Sequence, residues 1–303
     1  PRFRGNMPRG MAQHMRPMKK GVLITPKEHW PRWDGGLSME CTGTQGGAQV
    51  FTYVMSASYQ ASQREFEEAQ ATYNPDSIAR MLARHPYHID ALLTMSDVYK
   101  QMGEHASSSD LLERCLYALE CAWHPWFNPA LGTCRVDFSK AVNRPLFISL
   151  FRHAAHLSRR GCHRTALECA KLVLSLDPED PMGALLCIDY YAIRAEQPEY
   201  VLRLARDPAF AERSLALLPN FAYTAALAKF YLGSSAGGGK TPAEDIAEML
   251  EEQAAGEALR EAVLLHPGLV PKVLEKLNLS QVSGDRRWQA ALGSKPLAGA
   301  GAG

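Results

Sequence analysis

The pattern of apolar positions changes character twice along the chain. In GVLITPKEHWPRWDGGLSME (21–40) there is no period, and two prolines with the Gly35-Gly36 pair forbid a long helix, so the pattern predicts an extended segment. QVFTYVM (49–55) alternates and predicts a short strand, with a strand pair near residues 37–54 as the most sheet the pattern allows. From Ala57 to Leu232 apolar residues recur at helical spacing. ASYQASQREFEEAQATY predicts a first helix that ends at Asn74-Pro75. DSIARMLARH predicts a second, with Asp76 as its cap and Ile78, Met81 and Leu82 on one face.

Repetition then decides the architecture. In DALLTMSDVYKQMGEHASSSDLLERCLYALE, Leu92, Met95, Ser96, Tyr99, Gly103, Ser108, Leu112 and Cys115 fall at tetratricopeptide spacing. Gly103 permits a tight turn between two helices, and the small residues let their backbones approach. LFISLFRHAAHLSRRGCHRTALECAKLVLSLDPED repeats the pattern around Gly161. PMGALLCIDYYAIRAEQPEYVLRLARD is a looser third unit in which Gln197-Pro198 replaces the glycine. FAYTAALAKFYLG and PAEDIAEMLEEQAAGEALREAVLLHP supply another pair, and LVPKVLEKL is a last short helix. The expected fold is an all-α, tetratricopeptide-like superhelix of helical hairpins with an extended N-terminal arm. Its expected parts are an arm and Trp-containing clip at 1–40, a helical domain at 41–233, a Gly/Ser linker at 234–241, C-terminal helices at 242–280 and a flexible tail at 281–303.

Gly103 and Gly161 stand 58 residues apart, against about 34 for tandem repeats, so roughly 24 residues are inserted. The insertion runs CAWHPWFNPALGTCRVDFSKAVNRP, and a long ordered loop in a compact domain is usually functional. Two readings of it stay open: a wedge burying Trp123 and Phe127 between hairpins, or a display of Trp126 at a tip made rigid by prolines. Trp30 and Trp33 are too apolar to be left in water, so they lie on the following domain or in a partner's pocket.

Composition adds class and compartment. With 46% hydrophobic and 21% charged residues, the chain can build a real core. It has no run of about 18 uncharged apolar residues, and its basic N-terminus lacks the apolar stretch of a signal peptide. Seven cysteines, an odd number partly inside helices, suit reduced thiols in a cell interior. The start at Pro1 and the close in AGAGAG predict a segment of something longer. The net charge of +1 hides an asymmetry, because residues 1–32 hold eight Lys or Arg against one Glu, a net of +7. Arg2, Arg4, Arg9, Arg16, Lys19 and Lys20 are the candidate nucleic-acid contacts of this arm, whose other reading is a solvated extension.

Candidate chemistry is sparse. Gly239-Lys240-Thr241 spells the end of a P-loop, but the first glycine of G-x-x-x-x-G-K-[ST] is replaced by Ser234, and the preceding stretch reads as a helix rather than a strand. Cys121, His124, Cys134 and Cys162 or His163 lack the close ligand pair of a zinc knuckle. Cys162 and His163 are adjacent on a helix and point about 100° apart, a poor arrangement for a nucleophile and its base. Asp189 and Glu196 show no spacing that singles out acid–base work. No catalytic residue, cofactor or metal is expected.

Several segments carry a more specific signal. TPKEHWPRWDGGLSM, RHPYHIDALLTMSDVYK, LYALECAWHPWFNP, CRVDFSKAVNRPLFISLFRH, RRGCHRTALECAKLVLSLDPEDP and LPNFAYTAALAKFYL resemble, in order, the central region of the transcription factor 25 family, whose fungal counterpart is the ribosome quality control complex subunit 1. The resemblance covers roughly residues 20–233 and implies a non-enzymatic subunit of the machinery that clears stalled nascent chains from large ribosomal subunits. The implied partners are a RING-type ubiquitin ligase, ubiquitin and the large ribosomal subunit with its stalled chain; the charge of the basic arm adds ribosomal RNA as an expected contact, and the apolar pattern predicts no membrane partner. The implied location is the cytoplasm, and the family name adds a nuclear alternative: a nucleic-acid-associated transcriptional regulator acting through that arm. The family's long lysine-rich and acidic N-terminal region is reduced here to the residues before 20, and its helical C-terminal part has no clear counterpart after about 240. The candidate partner-binding residues are Trp30, Trp33, Trp123, His124, Trp126, Phe127 and Arg144.

Overall fold

The computed structural model describes residues 18, 20–234 and 242–276, and among these the chain is mostly helical with one small sheet. It divides into two compact units, Pro1–Gly161 with Glu168–Met182, and Cys162–Leu167 with Gly183–Gly303.

The first unit opens on a hairpin. β1 (Leu37–Gln45) and β2 (Ala48–Met55) run antiparallel through the Gly46-Gly47 turn, with Leu37 opposite Met55, Met39 opposite Tyr53 and Cys41 opposite Phe51. The expected strand pair therefore forms, but the sheet goes further. β3 (Cys134–Val136), from the middle of the insertion, adds to β2 in parallel and sets Val136 beside Phe51. The period-two pattern buries Leu37, Met39, Phe51 and Tyr53 on one side of the sheet.

Helices follow in chain order. α1 (Ala57–Ala71) is capped by Ser56, whose hydroxyl accepts from Tyr59 N. α2 (Pro75–Arg84) has Asn74 as its cap, with Pro75 at the first helical position where a missing N–H costs nothing. This corrects the expected cap, because Asp76 is the second helical residue and donates its N–H to Asn74 Oδ1. α3 (Ile89–Gln101) and α4 (His105–Cys121) pack on each other at their small positions. Ser96 Oγ donates to Ser108 O at 2.9 Å, and Ser108 Oγ donates to Ser96 O at 2.8 Å, a reciprocal pair that large side chains would pry apart. After the insertion come α5 (Arg144–Arg159) and α6 (His163–Leu176).

Both turn glycines sit at the expected turns. Gly103 has φ +82° and Gly161 φ +80°, and an added Cβ at either would meet nothing within 4 Å. Crowding is not the constraint; handedness is. At Gly103 the chain closes α3 with two reversed bonds, Gly103 N to Lys100 O and Glu104 N to Tyr99 O, which need a left-handed residue at that place. We expect Gly161→Val to lower unfolding free energy by about 1–3 kcal/mol, while Gly161→Asn, tolerant of positive φ, costs far less. Urea denaturation of the two variants checks this.

The second unit holds α7 (Ile188–Arg194), α8 (Pro198–Leu204), α9 (Pro219–Ser234), α10 (Pro242–Leu265) and α11 (Leu269–Lys276). Asp189, buried on α7, accepts from Asn220 Nδ2 at 3.0 Å and Thr224 Oγ1 at 2.8 Å and so ties α7 to α9. Tyr223 Oη donates to His266 O at 2.9 Å, fixing the chain between α10 and α11 against α9. Among the described residues no helix is long and apolar enough to cross a membrane.

Candidate functional site

The extended segment before β1 is a clip, and α4 is what it grips. Asp110, Glu113, Tyr117 and Glu120 follow one another by three, four and three residues, a spacing that lines them along one helical stripe. Each takes hold of the clip. Lys27 Nζ bonds Asp110 at 2.7 Å and Glu113 at 2.9 Å. Trp30 Nε1 donates to both Asp110 oxygens, at 3.3 and 3.2 Å, while its ring leans on Tyr117 with centroids 5.8 Å apart. Burial acts to lower the Lys27 pKa, but the hydrogen bonds to the two carboxylates outweigh it and hold the ammonium above its ordinary range.

Glu120 ends the stripe and is itself buried. Its carboxylate accepts from the successive backbone N–H groups of Val22, Leu23 (3.0 and 3.2 Å) and Ile24 (3.1 Å), a nest of main-chain donors around one anion. Gly21 lets that approach happen. A Cβ there would run into the Glu120 carboxylate and lie 2.7 Å from Ile24 O. Further along, Tyr87 Oη donates to Pro31 O and Trp33 meets the Tyr87 ring edge-on at 5.5 Å.

The insertion begins where α4 stops, and it divides into a buried and an exposed part. Trp123 Nε1 donates to Tyr53 Oη at 3.1 Å, and Tyr53 Oη donates in turn to Leu119 O at 3.2 Å. Phe127 is buried, its ring edge-on to Phe51 at 5.1 Å and to Trp123 at 4.9 Å. Asn143 is fully buried and staples the far end of the insertion to the sheet. Its Oδ1 accepts from Tyr53 N at 2.9 Å and Thr52 Oγ1 at 3.2 Å, while its Nδ2 donates to Asp137 O at 2.8 Å. The wedge and the display are therefore both present, on neighbouring residues. Trp126 is 66% exposed, its backbone N–H donates to His124 Nδ1 at 3.2 Å, and the His124 ring abuts its own at 5.2 Å.

The candidate residues thus fall into three settings. Trp30 and Phe127 are buried, and Trp33, Trp123 and His124 are half-buried against this same chain. Trp126 and Arg144 face solvent, although Arg144 lies over the Phe138 ring and donates to Phe138 O and Ser139 O. Arg2, Arg4, Arg9, Arg16 and Lys19 lie outside the described residues, and Lys20 is exposed. Among the described residues no three His, Cys, Asp or Glu side chains come together as a metal site. Burial pushes the Cys115 thiol well up and the Cys169 thiol to about 12, which leaves both protonated and unreactive at neutral pH. Gly237 to Thr241 lie outside the described residues, and the segment before them is helix where a P-loop requires a strand. Sequence reasoning missed Glu120, a lone charge in an apolar run, and Asn143, an ordinary polar residue before an arginine; the clip and strand groups that each holds are far away in the chain.

The family described as Transcriptional repressor TCF25 matches residues 51–295. The chain belongs to this family. It is 38% identical over 259 residues to the human Ribosome quality control complex subunit TCF25, covering 85% of this chain and 37% of that protein. It is equally 38% identical over 218 residues to the Schizosaccharomyces pombe Ribosome quality control complex subunit 1, covering 71% of this chain and 33% of the relative. The Probable transcription factor claV of Ampulloclitocybe clavipes is 32% identical over 241 residues, covering 76% of this chain and 29% of the relative. The chain therefore spans little more than a third of the length of the human relative. No solved structure matches it.

Proposed function

We propose that the chain is a non-catalytic scaffold segment of a ribosome quality control complex. It helps a RING-type ubiquitin ligase to build ubiquitin on stalled nascent chains at large ribosomal subunits, and so helps to clear them. The observation that carries the reading is the 38% identity, over 85% of the chain, to a relative named as a subunit of that complex. The site supports a scaffold rather than a catalyst. Its buried acid, Glu120, is engaged in fixing one part of the chain to another, and its most exposed aromatic side chain in the insertion, Trp126, stands on a turn braced from below. A rigid exposed indole is the kind of anchor that interfaces use, because little side-chain freedom remains to be lost on binding.

Sedimentation of a tagged chain after stalling is induced tests the reading. The chain is expected to move with large ribosomal subunits; recovery only among small, free proteins removes the proposal. A second reading, a nuclear nucleic-acid-associated regulator, is favoured by the name of the claV relative and by the +7 charge of residues 1–32. Deleting residues 1–20 separates the two. On the scaffold reading the ligase still associates after the deletion, whereas on the second reading the activity goes with the arm.

A further inference from the structure

The first unit holds a cavity of about 240 Å³ lined by the end of the clip, by α1 and by the turn from α2 into α3. One water's share of liquid volume is about 30 Å³, so the space takes a group of several heavy atoms. Gly36 is part of its wall, and a Cβ there would lie 2.9 Å from Tyr59 Cδ2 and 3.5 Å from Asp34 Oδ1. The lining grades from wet to dry. Asp34 and Ser58 are exposed and His85 is half-buried, while Tyr59, Ser62 and His88 are buried.

The buried side offers one donor and one acceptor. His88 is only 1% exposed, and its Nδ1 accepts from Ala91 N at 3.3 Å, so the proton of the neutral ring sits on Nε2. That buried N–H finds no acceptor among the described residues. Its direction is set, because the ring lies stacked on Tyr59 at 4.9 Å and Tyr59 Oη accepts in turn from Ile89 N at 2.8 Å. Burial, reinforced by His85, holds the imidazole neutral at pH 7. Ser62 Oγ donates to Tyr59 O at 2.8 Å, which leaves its lone pairs to accept. A buried N–H without a partner is costly, and a ligand that accepts from it recovers that cost on binding.

A group that fits must accept and donate without bringing charge into a dry place. A primary carboxamide does both from one planar head, whereas a carboxylate is charged and lacks the donor, and a hydrocarbon has neither function. The rim asks for the opposite. Asp34 Oδ1 accepts from Gly36 N at 3.1 Å, and Oδ2 takes no bond from the described residues, so an exposed negative charge waits at the mouth. The neighbouring Glu65 is already held by Arg84 and His85. Carboxamide and cation occur together in an asparagine or glutamine that begins a peptide, with its α-ammonium a few bonds from its amide and its chain free to leave toward solvent.

We propose that this cavity binds the amino-terminal asparagine or glutamine of a peptide, the carboxamide against His88 and Ser62 and the α-ammonium against Asp34. The proposal goes beyond the quality-control reading and needs nothing from it.

Fluorescence anisotropy of the full chain with short peptides, labelled at the far end and identical except for their first residue, tests the proposal. Peptides that begin with Gln or Asn are expected to bind. Glu or Leu in that place should weaken binding by about 10- to 100-fold, and so should acetylation of the Gln peptide, each removing or opposing one of the matched groups. Asp34→Asn should weaken the free Gln peptide by a similar factor yet leave the acetylated one unchanged, which locates the ammonium. Because Asp34 is exposed and asparagine keeps an oxygen for Gly36 N, this variant holds its fold, and circular dichroism verifies it. Ser62→Ala should narrow the gap between Gln and Glu peptides. The proposal is overturned if neither Gln nor Asn peptide binds, if Glu, Leu or acetylated peptides bind equally well, or if Asp34→Asn changes nothing. Sedimentation with large ribosomal subunits is a separate measurement, so either reading can fail while the other stands.

Discussion

Stability of the first unit is expected to fall by about 6 kcal/mol as pH drops from 7 to 4, with most of the loss between pH 6.5 and 4. Two buried histidines set that window. His88 caps α3 through Nδ1, which accepts from Ala91 N at 3.3 Å, and its ring is stacked on Tyr59 at 4.9 Å and leans on Phe66 at 5.2 Å. Burial, reinforced by His85, holds its pKa down at about 4. His153 on α5 is also held at about 4, by burial first; Glu113 opposes this and His156 and Arg160 add to it. In the unfolded chain both titrate near 6.5.

The unfolded state therefore binds more protons than the folded state between those values, so stability is complete above pH 6.5 and is lost as pH falls toward 4. Each histidine contributes about 3 kcal/mol, from a shift of roughly 2.5 pH units at 1.36 kcal/mol per unit. At pH 4 the folded imidazoles are half protonated, and about a pH unit lower both states are protonated and the slope ends. His156, lowered chiefly by burial with Arg159, Lys100 and His105 around it, steepens the loss. Asp90 opposes it near the bottom of the window, because burial holds its carboxyl above the usual range. Urea denaturation across pH gives the measurement. His88→Asn, which keeps a capping side chain but cannot titrate there, and His153→Gln should each flatten the slope by up to about 1.4 kcal/mol per pH unit. Unchanged slopes would show that neither imidazole is held neutral.

What the sequence disclosed depended on how local each cause was. The α3–α4 hairpin was legible because Ser96, Gly103 and Ser108 act within a dozen residues of one another, and the reciprocal serine bonds follow from that spacing. The clip was half legible. An unsupported Trp30 had to be buried somewhere, but nothing local says that Asp110 and Tyr117, some 80 residues on, receive it. β3 left no trace, since three residues carry no period, and its existence depends on Phe51 meeting Val136 across more than 80 residues. The insertion was legible as unusual but not as two things at once. Deciding that Phe127 turns in while Trp126 turns out requires the sheet, against which Phe127 packs, and the sheet is long-range. Glu120 reads in sequence as one more helical glutamate, because its partners are backbone N–H groups, which every residue but proline possesses.

Glu120→Ala should therefore release the clip while the helices remain. The wild-type carboxylate satisfies the N–H groups of Val22, Leu23 and Ile24, and of these Ile24 is buried, so truncation orphans a donor that water reaches poorly. Charge-assisted bonds are worth more than neutral ones, but Val22 is exposed and recovers its bond to solvent, which caps the loss. The expected cost is about 2–4 kcal/mol, lost from the clip first, because Lys27 and Trp30 then hold α4 through Asp110, Glu113 and Tyr117 alone. Trypsin reports the release. In the wild type Lys27 is clamped between two carboxylates and should resist cleavage; in Glu120→Ala, cutting after Lys27 should accelerate at least tenfold, the factor that goes with about 1.4 kcal/mol of easier opening. Trp30, now wet, should shift the tryptophan emission to the red, while the helical dichroism stays. Glu120→Gln separates charge from shape, since its amide oxygen can still accept but without the negative charge that the nest surrounds, and it should fall between the two. If Glu120→Ala leaves Lys27 protected, the clip is held by Trp30 and the lysine bridge, and the nest at Gly21 is not what fixes the clip to α4.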